Sequence, residues 1–311
     1  MYTIPQQFDL SKNIPIVLLL GNGILKSCAE VNDLDCKKWE DHLYKLSEKP
    51  LSKKDKEDIK DVPYSLKATL LAPCDDVNRH KKYVNQFKTL EFSNNDLIKD
   101  LVLLGFDAIL TTNYTYEIEN CFNDGFNRLK DKSKYIRTIM RSSLKNVDTK
   151  YLLHTFNQFD NSPPIWHIHG EERRKSSIVL THDEYSRLIH KLVDENIINK
   201  NKFVDFQAEV KYKSWLDYLL VSNLYIVGLG MDFSEFDLWW ILNRRMREKS
   251  KKGKIILFES NNMNESIKNA LKSLEVSVIQ FADIKENDYI GLYKKATEYI
   301  KNELKTLKGV L

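Results

Sequence analysis

Apolar runs too continuous for a half-exposed sheet recur along this chain, and they restrict its architecture more than any other feature. "PIVLLLG" (15–21), "FDAILTT" (106–112), "PIWHIHG" (164–170), "NLYIVGLG" (223–230), "GKIILFES" (253–260) and "VSVIQF" (276–281) each read as a strand buried on both faces, with "SIVLT" (177–181) as a further one. Helical patterns stand between the later runs. "THDEYSRLIHKLVDE" opens at Thr181 or Asp183, and "DFSEFDLWWILNRRMREK" takes Ser234 as its cap and closes in a basic turn. "NESIKNALKSL" and "DYIGLYKKATEYIKNELKTL" are amphipathic helices towards the end of the sequence. Strands alternating with helices predict an α/β fold, a Rossmann-like doubly wound parallel sheet. Residues 30–100 and 120–160 interrupt the alternation. They are polar and mostly helical in pattern, and are expected as insertions that form a smaller cap or lobe on a single domain spanning 1–311.

Composition removes several classes. The longest apolar run, "IPIVLLLG" (14–21), is too short to cross a bilayer, and the polar "QQFDLSKN" before it carries no cleavage-site pattern, so no signal peptide is expected. Four cysteines, Cys28, Cys36, Cys74 and Cys121, are scattered without a C-x-x-C pair. That spacing writes no zinc ribbon and points to a reducing, cytoplasmic setting. A net charge of +4 is spread over runs such as "LSKKDKEDIK" (51–60), "RHKKY" (79–83) and "REKSKKGK" (247–254), which read as solvated surfaces and not as one nucleic-acid patch.

In doubly wound sheets ligands bind beyond the carboxyl ends of the strands, and the unusual residues of this chain sit there. "GNG" places Gly21, Asn22 and Gly23 between a strand and a helix, a turn that lets backbone approach phosphate. The third glycine of a dinucleotide fingerprint is missing, since Lys26 stands in its place, which speaks against hydride transfer. "TTNY" puts Thr111, Thr112 and Asn113 at the next strand end, where Asn113 either orients a water and a sugar hydroxyl or fills a turn behind a threonine cap. "WHIHG" offers His167 and His169 as a metal pair completed by His182 and Asp183, or His169 alone as a general base with His167 a satisfied core residue. "GLGMD" supplies Gly228, Gly230 and Asp232, the aspartate bonding ribose hydroxyls or capping the next helix.

Taken in order, "GNGI" (21–24), "TTNY" (111–114), "HG" (169–170) and "GLGMD" (228–232) resemble the SIR2-like, sirtuin-related NAD-consuming domain, and "IVLTHDEY" (178–185) resembles the T-x-x-x-Y stretch of its prokaryotic branch. The resemblance runs from residue 14 to about 281. It implies Asn113 and His169 as catalytic residues, and Gly21, Asn22, Gly23, Thr111, Thr112, Gly228, Gly230 and Asp232 as nucleotide-binding ones. NAD+ is then the substrate, and no metal or zinc is expected, because the cysteine pairs of protein-deacylating sirtuins are missing. Two positions depart from the pattern. Thr115 stands where an aspartate often follows "TNY", and Gly230 replaces a common serine.

The resemblance points to the bacterial anti-phage defence type, whose members hydrolyse NAD+ to nicotinamide and ADP-ribose. Because unregulated hydrolysis would harm the host, an off state is expected. Its release would come from homo-oligomerisation, a separate regulatory partner protein, or a nucleic-acid or nucleotide trigger acting through that partner, with no membrane involved. The alternatives are a silent NAD or ADP-ribose binding module and a protein deacylase.

Overall fold

The computed structural model describes residues 14–34, 39–72, 89–122, 137–140, 152–159, 162–203, 214–247 and 252–308. Cys36, Cys74 and the basic run at 79–83 lie outside them.

One eight-stranded sheet organises the chain. Its strands are β1 (Ile16–Leu20), β2 (Ala108–Thr111), β3 (Arg137–Met140), β4 (Thr155–Gln158), β5 (Ile165–His167), β6 (Asn223–Val227), β7 (Ile255–Phe258) and β8 (Val276–Ile279), in spatial order β3-β4-β5-β2-β1-β6-β7-β8. From β5 to β8 every pairing is parallel. Numbered among themselves, those strands run 3-2-1-4-5-6, the doubly wound order whose switch point lies between β1 and β6. The expected Rossmann-like sheet is therefore observed.

Two expectations need correction. Within the described part of the 120–160 segment, expected as helical, β3 and β4 are strands that extend the sheet beyond β5 in antiparallel fashion. The "TFNQ" of β4 is too polar to read as a buried strand, yet Thr155, Phe156 and Asn157 are buried, with Asn157 satisfied by Glu119 and Glu171. Nor is 177–181 a strand. A 3-10 turn at Lys175–Ser177 precedes an extended loop whose Val179 packs into the main core while Ile178 and Leu180 pack the other way, under the cap. The continuous apolar run comes from being sandwiched between two cores, with no ladder involved.

Burial on both faces explains the continuous apolar runs. Val17 and Leu19 of β1, Leu224 and Ile226 of β6, and Ile255 and Leu257 of β7 enter one core. Their alternates Ile16, Leu18 and Leu20, Tyr225 and Val227, and Ile256 and Phe258 enter the other. The first core is closed by α7 (His182–Phe203), α8 (Trp215–Val221), α9 (Phe236–Arg247) and α10 (Glu265–Ser273), and the second by α1 (Gly23–Val31), α5 (Asp96–Val102), α6 (Glu117–Phe122) and α11 (Tyr289–Lys308). Arg245, buried near the end of α9, donates to the carbonyls of Leu219, Ser222 and Gly253, which pins α8 and the entry to β7.

Helices α2 (Trp39–Tyr44), α3 (Lys53–Asp58) and α4 (Tyr64–Leu71) form a small cap with its own cluster. Leu43, Leu46, Ala68 and Leu71 pack there against Tyr114, Ile178 and Leu180, and Trp39 stacks on Tyr114 at 6.1 Å. Lys67, wholly buried, pairs with Glu40 at 2.5 Å and lies over the rings of Tyr44 and Tyr64.

Register sets the level of the site. Leu20 aligns with Thr111 and with Val227, Thr111 with His167, and Val227 with Phe258. Strands β1, β2, β5, β6 and β7 therefore release their loops at one height, beside the switch point and under the cap.

Candidate active site

A cavity of about 510 Å³ opens at that level, a size that suits a nucleotide-sized ligand. Asn113 and His169 both line it, with Asn22, Gly23, Thr112 and Gly228 from the predicted set. Gly230 and Asp232 line it too, and the cap contributes Trp39 and Tyr64. Gly21 and Thr111 stand behind the wall and position it.

The glycines are required by a reason the sequence did not disclose. A Cβ on Gly21 would lie 2.3 Å from the carbonyl oxygen of Gly228, and one on Gly23 would lie 2.4 Å from Tyr293 Oη and 2.9 Å from the same carbonyl. The turns after β1 and β6 thus pack directly on each other. The Gly21 N–H already donates to Val227 O, and the Gly23 N–H to Gly228 O at 2.7 Å. Gly228 takes φ +71, and Met231 follows at φ 49, a left-handed position rarely held by a side-chain-bearing residue. Gly230 differs: a Cβ there would meet nothing within 4 Å.

Asn113 is fixed from three directions. Thr111 Oγ1 donates to Leu20 O and accepts the Asn113 N–H, both at 3.0 Å. The Asn113 side-chain amide donates to Gly21 O at 3.3 Å. The Asn113 main-chain carbonyl accepts from His167 Nδ1 at 2.6 Å, while His167 Nε2 meets Glu119 Oε1 at 2.9 Å. A carbonyl can only accept, so Nδ1 carries a proton, and the Glu119 carboxylate beside Nε2 favours a second one. Burial opposes that charge, but Glu119 outweighs it and the His167 pKa is raised to about 9. Behind it, Asn157 donates to Glu119 and Glu171, and Tyr116 to Glu171, in a buried polar network.

His169 stands in the cavity wall, held by α9. Its Nε2 lies 2.9 Å from Asp237 Oδ2, and its Nδ1 lies 3.8 Å from Glu235 Oε2. Tyr185 packs edge-on against the ring at 5.3 Å and directs its hydroxyl to Glu235 Oε2 at 3.5 Å. Burial disfavours a charged His169, yet Asp237 and Glu235 outweigh it and its pKa is raised. Burial also pushes the Glu235 carboxyl up to about 7 against the pull of His169, with Asp237 and Asp232 adding to the rise.

The three histidines do not form a metal site together. His167 belongs to the network behind Asn113, His169 faces the cavity, and the His182 ring packs on Phe236 at 5.2 Å. Ser234 is not the helix cap: its hydroxyl accepts the Tyr64 N–H at 2.8 Å and ties α4 to the cavity rim, while α9 starts at Phe236. Asp232 Oδ1 accepts the Ser234 N–H, which shapes the turn and leaves the carboxylate exposed at the cavity. Sequence reading missed Glu235 and Asp237. Acidic residues at the start of a helix are the ordinary complement to its dipole, so nothing marked them as partners of His169.

No curated protein matches this chain. Residues 107–279 match the SIR2-like domain, whose members bind NAD+. The match takes in Asn113, His169 and the 228–232 turn, whereas β1, its glycine turn and the cap precede it. With more than half of its residues matched, and with the matched strand ends gathered around one cavity, the chain belongs to the SIR2-like domain family.

Proposed function

We propose that this protein is an NAD+ glycohydrolase that cleaves the nicotinamide–ribose bond to give nicotinamide and ADP-ribose. The observation that carries the reading is the presence of Asn113 and His169 on one cavity with the packed glycine turns of β1 and β6. The bond needs no general acid, because nicotinamide leaves neutral from a cationic ring. The site has to stabilise an oxocarbenium-like ribose and deliver water to its C1′. Asn113, braced through Thr111, Gly21 and His167, holds the water and a ribose hydroxyl in fixed geometry. His169 accepts the proton from the water, directly or through a ribose hydroxyl. Lys26, at the cavity wall, supplies positive charge for the pyrophosphate.

The same reading assigns the protein to NAD-depleting defence against phage, with an off state released by oligomerisation or by a partner. The cap is the element on which such control would act, since it joins the cavity rim through the Tyr64–Ser234 hydrogen bond. Nicotinamide release from NAD+ by the wild type, beside Asn113→Ala and His169→Ala, tests the chemistry. Release by the wild type and loss in both variants supports it. NAD+ binding without release from any of the three favours a silent binding module.

A further inference from the structure

His169 is flanked by two carboxylates that contact opposite ring nitrogens. Asp237 is wholly buried in the first turn of α9, a position the helix dipole makes favourable for an anion. Its Oδ2 faces Nε2 at 2.9 Å, and its Oδ1 has no partner among the described residues, so Oδ2 is committed to the imidazole. Such a pairing fixes the proton on Nε2 and leaves Nδ1 as the acceptor. Nδ1 looks towards Glu235 at 3.8 Å, and both His169 and Glu235 line the cavity while Asp237 does not. One ligand atom from each of these residues falls within 4.8 Å of the others. A cation at Nε2 would first have to displace the 2.9 Å hydrogen bond to Asp237.

We propose that Asp237 and Glu235 make His169 the centre of a carboxylate–imidazole–carboxylate proton relay. Asp237 is a positioning residue that holds Nε2–H, and Glu235 shares the proton that Nδ1 takes up. The proposal rests on the glycohydrolase reading. In the step it serves, the C1′–N bond breaks and its electron pair goes to the nicotinamide nitrogen. The water oxygen bonds to C1′, and the water proton passes to Nδ1. Hydrolysis of NAD+ leaves one proton over, and Glu235 carries it to the cavity and to solvent. The charged or titratable groups around the unit are Asp237, Glu235 and Asp232 from the β6–α9 region and Tyr185 from α7, whose hydroxyl restrains Glu235.

Two isosteric variants, Glu235→Gln and Asp237→Asn, test the relay by nicotinamide release over about pH 5 to 9 and by nitrogen NMR of the His169 ring in the unliganded protein. Thermal melts establish that each variant is folded. With Glu235→Gln, kcat should fall about 10²-fold with KM little changed, and the His169 titration should move to lower pH in a single step. With Asp237→Asn, kcat should fall about 10²-fold or more, and the ring should pass from the Nε2–H to the Nδ1–H tautomer. Asp237→Glu should restore part of the rate and the Nε2–H tautomer. An active wild type whose variants keep its pH profile, His169 titration and tautomer overturns the relay and leaves the glycohydrolase reading intact. A wild type that binds NAD+ and releases no nicotinamide overturns that reading, and the catalytic use of the relay with it, whatever the NMR shows.

Discussion

Replacing His167 by alanine should destabilise the protein by about 3 kcal/mol near pH 6 and by much less near pH 10. The ring is buried, donates through Nδ1 to Asn113 O and lies beside the Glu119 carboxylate at Nε2, surroundings that favour the imidazolium. Its pKa rises from 6.5 to about 9. At about 1.4 kcal/mol for each pH unit, that rise corresponds to about 3 kcal/mol of pH-dependent stability. The sign follows from a folded-state pKa above the unfolded one: the contribution is complete below 6.5 and is lost as pH climbs through 9. Breaking a buried ion pair by removing one partner costs about 3–5 kcal/mol, which agrees in scale. Urea unfolding of wild type and His167→Ala, at one-unit steps between about pH 6 and pH 10, measures the gap directly. Groups remote from the ring cancel in the difference, while Glu119, which loses its partner in the variant, contributes to it. At high pH only the packing and the neutral hydrogen bonds of the ring remain in it. A gap that stays constant across the range would refute the imidazolium and the reasoning built on it. The variant also releases the Asn113 carbonyl from its brace, so nicotinamide release should fall even under conditions where the protein is fully folded.

The glycine turns make a paired prediction. Gly21→Ala sets a Cβ 2.3 Å from the Gly228 carbonyl, backbone against backbone, and should cost about 1–3 kcal/mol in unfolding experiments. Gly230→Ala meets nothing within 4 Å and should leave stability within about 0.5 kcal/mol; equal effects would contradict turn-on-turn packing. In the cap, Lys67→Met removes the partner of Glu40 and should loosen the 39–72 helices by about 1–2 kcal/mol. Hydrogen exchange should quicken there and stay unchanged in β1 and β6, and uniform protection would show that the ion pair does not hold the cap.

The architecture was legible because a strand buried on both faces cannot hide its composition. "IVLLL" and "IILF" have no polar position to offer solvent and "NLYIV" has only its first, and that pattern already implies helices on two sides of a parallel sheet. Asn113 and His169 were legible for the opposite reason: a strand that ends in amide, hydroxyl or imidazole groups has to find partners for them. β4 was not legible because its buried polar residue Asn157 is satisfied by Glu119 and Glu171, partners that no local pattern discloses. The 177–181 loop misled because burial between two cores gives the same continuous apolar run as a strand buried on both faces.

The sequence by itself determined the parallel sheet and the strand-end loops whose residues line the cavity, because hydrophobic periodicity and the chemistry of strand ends are local properties. Tertiary structure alone decided why Gly21 and Gly23 are glycines, what holds Asn113, and which groups touch His169. Each of those answers joins residues far apart in the chain: Gly21 with Gly228, Asn113 with His167, and His169 with Asp237. Contacts of that range depend on strand order and register, and no local pattern encodes them.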